Sequence, residues 1–330
     1  MNKKKLIGIM VACVVVVVVV VVVLSGGRAP TGDLGVVFAD AKLEAAVRKA
    51  IDVPKGPIYP EDLEKLTWLY SDLVYADIGD ITGLEHCTNL VSFVVHELIG
   101  METISDISPL AGLTKLEWLR LGHQQISDIS PLAGLTRLRE LHLHGNQISD
   151  LSALAGLVNL TKLRLSTNQI SDISPLAGLT GLTWLELQSN QIGDMSPLIG
   201  LTNLTSLGIS GHPIANVAEV VDLTRLTRLI LPESGITDIS YLARLTNLTH
   251  LDLSGNQIGD ISPLAGLTSL TSLYLGDNQI SDIKPLVDNP GLGERAHINL
   301  SWNPLSEESI NEHIPALRAR GVGVWITGYK

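Results

Sequence analysis

Apolar positions recur along this chain with one long, fixed period. Leucines stand at Leu116, Leu138, Leu160, Leu182, Leu204, Leu226, Leu248 and Leu270, each 22 residues after the last. The order inside a unit is L-x-x-L-x-L-x-x-N-Q-I-x-D-I-S-P-L-A-G-L-T-x, with one clear copy running from Leu160 to Leu179. Self-similarity at such a period marks stacked supersecondary units, each with an apolar face that it cannot bury alone. Alternation at Leu163 and Leu165 predicts a short strand with one buried face. Asn168 stands where the chain leaves that strand, and its amide can satisfy backbone groups of adjoining turns. Asn146, Asn168, Asn190, Asn256, Asn278 and Asn303 are therefore expected to form a ladder down the stack. Pro175 and Gly178 predict tight turns rather than full helices on the far side of the unit.

The ends and the irregular units follow from the same pattern. Degenerate units open at Leu66 and Leu90, with about two and four extra residues, and a last one holds Ile298, Leu300 and Asn303. The turn asparagine is replaced by Gln124, His212 and Ser234, and the proline by Ala153, Glu219 and Tyr241. The ladder is accordingly expected to be least regular between Leu204 and Leu245. Asp40 ahead of a Leu43, Val47, Ile51 stripe predicts a short capping helix. Pro60-Glu61-Asp62-Leu63 predicts a second, with proline in its first turn. Ser306-Glu307-Glu308 opens a helix expected to end near Gly321 and to kink at Pro315, and residues 322–326 read as a closing strand.

With its Asn-Gln-Ile turn and Ser-Pro-Leu-Ala-Gly-Leu return, the 22-residue unit resembles the bacterial internalin-type leucine-rich repeat, over residues from about 37 to 326. The resemblance implies an α/β repeat solenoid: a curved, right-handed array with a parallel sheet on the concave side and 3-10 helices or turns on the convex side. It further implies a helical N-terminal cap, a helix–strand C-terminal cap and recognition of a partner on the concave face. The expected organisation is a membrane segment over residues 1–24, a flexible linker over 25–36, the N-terminal cap over 37–65, repeats over 66–303 and the C-terminal cap over 304–330.

Lys3, Lys4 and Lys5 precede an unbroken apolar run over residues 6–24, mostly valine. At about 1.5 Å rise per residue, such a run nearly spans a hydrocarbon core of roughly 30 Å. Flanking lysines stay on the cytoplasmic side, so the repeats are expected outside the cytoplasm. Three readings compete: a retained single-pass signal anchor, a cleaved signal peptide that releases a secreted protein, and a lipoprotein signal around Met10-Val11-Ala12-Cys13. The anchor fits best, because secretory apolar regions usually run only about 7–15 residues. Cleavage at Cys13 would leave a polyvaline N-terminus.

Charge narrows the partners. The chain has 23 Lys and Arg against 34 Asp and Glu, a net charge of −11, and the first thirty residues hold Lys3, Lys4, Lys5 and Arg28 with no acid. A body this acidic repels phosphate backbones, which argues against nucleic acid. The two cysteines, Cys13 in the apolar run and Cys87 at a leucine position, cannot staple the array, and Cys87 is expected to be a buried thiol. His96-Glu97-Leu98-Ile99-Gly100 begins like a zinc-protease motif but lacks its second histidine. No phosphate-binding loop, nucleophile elbow or Cys/His metal spacing appears, so no cofactor, metal or enzyme activity is expected. The aspartates at position 13 of the units, such as Asp128 and Asp172, are open to reading as a calcium ladder. The plainer reading, acceptors for turn N–H groups, is preferred because the Gly-Gly-x-Gly-x-Asp pattern of calcium solenoids is missing.

Candidate binding chemistry sits where the consensus leaves residues free. Position 3 of successive units, starting with the one that opens at Leu66, holds Trp68, Ser92, Trp118, Glu140, Lys162, Trp184 and Ser206. Position 5 holds Tyr70, Val94, Arg120, His142, Arg164, Glu186 and Gly208. Three of the chain's five tryptophans thus fall in one outward column, and Trp and Arg are the residues that dominate binding hot spots. Trp68, Tyr70, Trp118, Arg120, His142, His144, Arg164, Trp184 and Glu186 are the expected partner-binding residues, for a protein or carbohydrate ligand. Two other classes compete: a metal or catalytic site on His123, His142 and His144, and a cell-envelope spacer without a specific ligand.

Overall fold

The computed structural model describes residues 35–70, 78–95, 103–210 and 220–328. The apolar run over residues 6–24 and its linker, the insertion between His96 and Thr103, and the irregular stretch with His212 and Glu219 lie outside or largely outside them. Among the described residues no helix is long and apolar enough to cross a membrane.

Each unit contributes one three-residue strand, because only L-x-L of the repeat alternates. These are β1 (Trp68–Tyr70), β2 (Ser92–Val94), β3 (Trp118–Arg120), β4 (Glu140–His142), β5 (Lys162–Arg164), β6 (Trp184–Glu186), β7 (Ser206–Gly208), β8 (Arg228–Ile230), β9 (His250–Asp252), β10 (Ser272–Tyr274), β11 (His297–Asn299) and β12 (Gly323–Trp325). They form one parallel sheet in strict chain order. The register is exact by repeat position: Leu119, Leu141, Leu163 and Leu185 lie side by side, as do Trp118, Glu140, Lys162 and Trp184. The central residue of each strand, leucine except for Phe93, Ile298 and Val324, is buried with the apolar side chains flanking the strands in one continuous core. On the convex side the Ser-Pro-Leu segments close as 3-10 turns, for example Ser130–Leu132 and Ser174–Leu176.

Polar ladders hold the stack in register. Asn168 Oδ1 accepts Ile148 N at 3.0 Å, while its Nδ2 donates to Leu143 O at 3.0 Å and Leu165 O at 2.9 Å. Asn146, Asn190, Asn278 and Asn303 repeat the arrangement. Gln124 preserves the rung, since its Oε1 accepts Ile104 N at 2.9 Å. Ser234 does not: its hydroxyl reaches only Pro232 O. Asn256 compensates from the next unit by accepting both Ser234 N and Ile236 N at 3.0 Å. A second ladder runs one residue before each of β5 to β10, where the hydroxyls of Thr161, Thr183, Thr205, Thr227, Thr249 and Thr271 each donate to the preceding unit's carbonyl. The aspartates are turn caps, with Asp128 and Asp172 each accepting the N–H of the serine two residues on at 2.8 Å. These bonds hold both carboxyls below the usual carboxylate range.

Caps close both ends. Helix α1 (Ala41–Ile51) starts on Asp40, whose Oδ1 accepts Lys42 N and Leu43 N, and it buries Leu43, Val47 and Ile51. The short α2 (Pro60–Leu63) follows, with proline in its first turn. After α3 (Lys284–Asp288), the last helix contains a π turn over Ser309–His313 before α4 (Ile314–Ala319). The expected kink at Pro315 thus takes the form of a wider turn, which accommodates a residue with no N–H and a ring that crowds the previous turn. Arg320 ties this cap to the array by donating to Val287 O, Asn289 O and Leu292 O.

Candidate functional site

Strand pleating sends the central residue of each strand into the core and its two flanking residues out of the sheet. Adjacent parallel strands lie about 4.8 Å apart, so residues 22 apart in sequence become immediate neighbours. On β3 to β6 this juxtaposition builds a depression of about 300 Å³. Arg120, His142, Arg164 and Glu186 form one of its columns. Glu140, Lys162 and Trp184 line the other.

The charged groups interlock across strands. Glu140 accepts Arg120 at 3.3 Å through Oε2 and Lys162 at 2.8 Å through Oε1. Glu186 accepts Arg164 Nε at 2.6 Å, and its other oxygen accepts the Trp184 indole N–H at 2.9 Å, which fixes that ring as a wall. Burial works to raise the Glu140 pKa, but hydrogen bonds and charge from Lys162 and Arg120 outweigh it and leave the carboxyl lowered. His142 forms the floor and is only 8% exposed. Burial, followed by the flanking Arg120 and Arg164 charges, drives its pKa down to about 4. At neutral pH the floor is therefore an uncharged imidazole, 3.9 Å from Glu140.

A separate aromatic ledge occupies the N-terminal end of the same face. Trp68 and Trp118 stack with ring centroids 5.3 Å apart and planes 23° from parallel, although their strands are not adjacent. Ser92 lies between them in register and is buried, so a small residue there lets the two rings meet. Trp68 is 60% exposed and Tyr70 62%. A shallow groove of about 270 Å³ runs from Trp68 and Tyr70 to Lys49 on α1.

The sequence-based candidates thus divide into three groups. Arg120, His142, Arg164, Trp184 and Glu186 converge on the depression, while Trp68, Tyr70 and Trp118 form the ledge. His144 does neither. Alternation puts it on the same face as His142, but it lies beyond the strand end at His142, is as buried as His142 and does not line the depression. Its ring packs edge-on against His123 at 5.0 Å and against His142 at 6.5 Å. These neighbouring rings cover it, whereas Ser166, Gln188 and Ser254 at the equivalent position are half-buried; position 8, which follows, takes a left-handed conformation at His123, Gly145, Thr167, Ser189 and their equivalents. A Cβ at Gly145 would come within 2.6 Å of the His123 ring, so glycine there makes room for it. Among the described residues, no group of three or more His, Cys, Asp or Glu side chains is placed to hold a metal ion.

Glu140 and Lys162 also line the depression, although neither is among the residues that hot-spot chemistry singles out. Their signal was present as the sign alternation Glu140, Lys162 in one column beside Arg120, Arg164, Glu186 in the other. It becomes legible only when the columns are read across strands. Cys87 is fully buried, and burial followed by the nearby Glu85 charge pushes its thiol up to about 12, so it is not a reactive thiolate at neutral pH.

A parallel sheet with one strand per 22-residue unit, an asparagine ladder and 3-10 returns define a leucine-rich-repeat solenoid. A family model described as leucine-rich repeats in two copies matches residues 136–178, 224–266 and 246–288. The crystal structure of an internalin (inlF) from Listeria monocytogenes is similar at 32% identity and a TM-score of 0.73, covering 93% of this chain and 95% of that one. An internalin C2 from the same organism is 31% identical over 81% of this chain and 97% of its own, with a TM-score of 0.51. A leucine-rich-repeat protein from Leptospira interrogans shares the fold at 22% identity, with a TM-score of 0.58 over 74% of this chain and 68% of that one. No curated protein matches. The chain belongs to the internalin-type leucine-rich-repeat proteins. Solenoids of this kind present extended concave surfaces and commonly serve protein recognition.

Proposed function

We propose that this chain is a recognition protein rather than an enzyme, gripping a protein or glycan partner on the concave face between β1 and β6. The run over residues 6–24 holds it at a membrane with the repeats outside the cytoplasm. The observation that carries this reading is the concentration of Trp and Arg on one outward face, with Trp184 and Arg164 both fixed by Glu186. Neither the core nor the ladders require those residues, and side chains held in one rotamer lose little entropy on binding. Solubility alone would place Lys, Glu or Ser there.

The test is a double substitution, Trp118→Ala with Trp184→Ala, screened against envelope glycans and secreted proteins beside the parent chain. The circular dichroism spectrum should be unchanged, because neither ring belongs to the leucine core. Affinity for a captured partner should fall by about 2 kcal/mol or more, as expected for hot-spot residues. Unaltered affinity would move the binding site off the concave face.

A further inference from the structure

We propose that the depression on β3 to β6 is an anion seat, and that it takes the carboxylate of an acidic segment on a protein partner. This rests on the reading of the concave face as the binding surface.

Charge distribution is the first support. The chain as a whole carries −11, yet Arg120, Lys162 and Arg164 outnumber Glu140 and Glu186 around the depression. The patch is therefore locally cationic on an acidic chain, and added cations at short range favour a carboxylate here over the rest of the surface. Burial is the main cause of the suppressed protonation of His142; Arg120 and Arg164 add to it and Glu140 opposes it. Geometry is the second support. Arg164 meets Glu186 through Nε, which leaves its terminal fork for a bidentate carboxylate. Arg120 uses one terminal nitrogen, at the long distance of 3.3 Å.

The two glutamates favour a polypeptide over an acidic polysaccharide. A uronate polymer repeats its negative charge ring after ring and would set some of those charges against Glu140 and Glu186. A peptide places a single carboxylate beside neutral backbone N–H donors, which those glutamates can accept. From the middle of the seat on β4, Trp118 is one strand away and Trp68 three, roughly 5 and 14 Å at the spacing of a parallel sheet. An extended segment covers the longer distance in about four residues, so an apolar side chain three to four positions from the carboxylate reaches the Trp68–Trp118 pair while the acid is seated.

The probes are a synthetic C-terminally amidated Leu-Gly-Ser-Gly-Glu-Glu peptide, its equally amidated Gln-Gln counterpart and an oligogalacturonide, titrated to millimolar concentration into the full chain and read by tryptophan fluorescence. The acidic peptide should bind at least about tenfold more tightly than the Gln-Gln version and weaken with added salt. Arg120→Gln with Arg164→Gln should lower its affinity about tenfold. Glu140→Gln with Glu186→Gln should raise it about threefold, because the amides keep the hydrogen-bond acceptors and remove the opposing charge. Opposite signs for the two pairs support the seat. Equal weakening by both would show that these residues only brace the sheet, and would overturn it. Binding of the oligogalacturonide alone would assign the seat to an acidic glycan, and absence of binding by every probe would reject it. A captured partner that is sensitive to Trp118→Ala with Trp184→Ala but indifferent to the arginine pair would leave the concave-face reading standing and remove the anion seat.

Discussion

His142 shows what a single outward position becomes once its neighbours are in place. Its ring lies between two arginines and is almost closed off from solvent, with Glu140 and His144 as its other charged or titratable contacts. The folded ring gives up its proton near pH 4, whereas an ordinary histidine does so near 6.5. Between those values the unfolded chain binds the additional proton, so stability is complete above about pH 6.5 and declines as the pH falls toward 4. The total loss is up to about 3 kcal/mol, and it levels off below that pH. Urea-midpoint measurements from pH 7 to 4 should show this decline. His142→Gln, which cannot titrate, should flatten the part of it due to this ring.

At the scale of the element, one unit separates core from surface within three residues. Leu165 follows β5 and is fully buried among the leucines of its neighbours; Lys162 opens the strand and holds Glu140 from the solvent side. Leu165→Ala should cost roughly 2–5 kcal/mol, as large-to-small changes in a close-packed core do. Lys162→Ala should cost under about 0.5 kcal/mol, since an exposed ion pair contributes little. Denaturant midpoints of the two variants decide this: equal losses would place the register one residue out. The unit also contains a feature that its consensus hides. Position 8 adopts positive φ at His123, Thr167, Ser189, Glu233 and Asp277 as well as at Gly145 and Gly255. Stacking on both sides holds the turn, so the ladder geometry there overrides local residue preference.

Over the whole molecule, each unit contacts mainly its two neighbours, and the helical caps shield the apolar ends that an unlimited array would leave open. The same stacking repeats the turn aspartates, so acidic groups run along one edge while cations gather at the concave depression. The expected topology is tested on intact cells. Externally added protease should reach residues 36–330 and leave the Lys3 to Lys5 segment protected. Protected repeats would instead place the array in the cytoplasm and reject the orientation set by the lysines.

The sequence by itself determined the solenoid, its period, the leucine core, the asparagine rungs and the helical start of the N-terminal cap. The first four depend on identical positions stacking upon one another, which an exact period states directly; the cap helix depends on Asp40 and its local apolar stripe. It also placed Trp118, Arg120, Arg164, Trp184 and Glu186 on one face, because strand alternation is a local property. Tertiary structure alone decided what those residues do to each other. Glu140 joins Arg120 and Lys162, and Trp68 meets Trp118 above Ser92, through side-chain directions in neighbouring units. Such contacts link residues 20 to 50 positions apart. The left-handed turn after each strand likewise belongs to the stack, whose ladder hydrogen bonds hold residues of many kinds in a conformation that only glycine adopts freely.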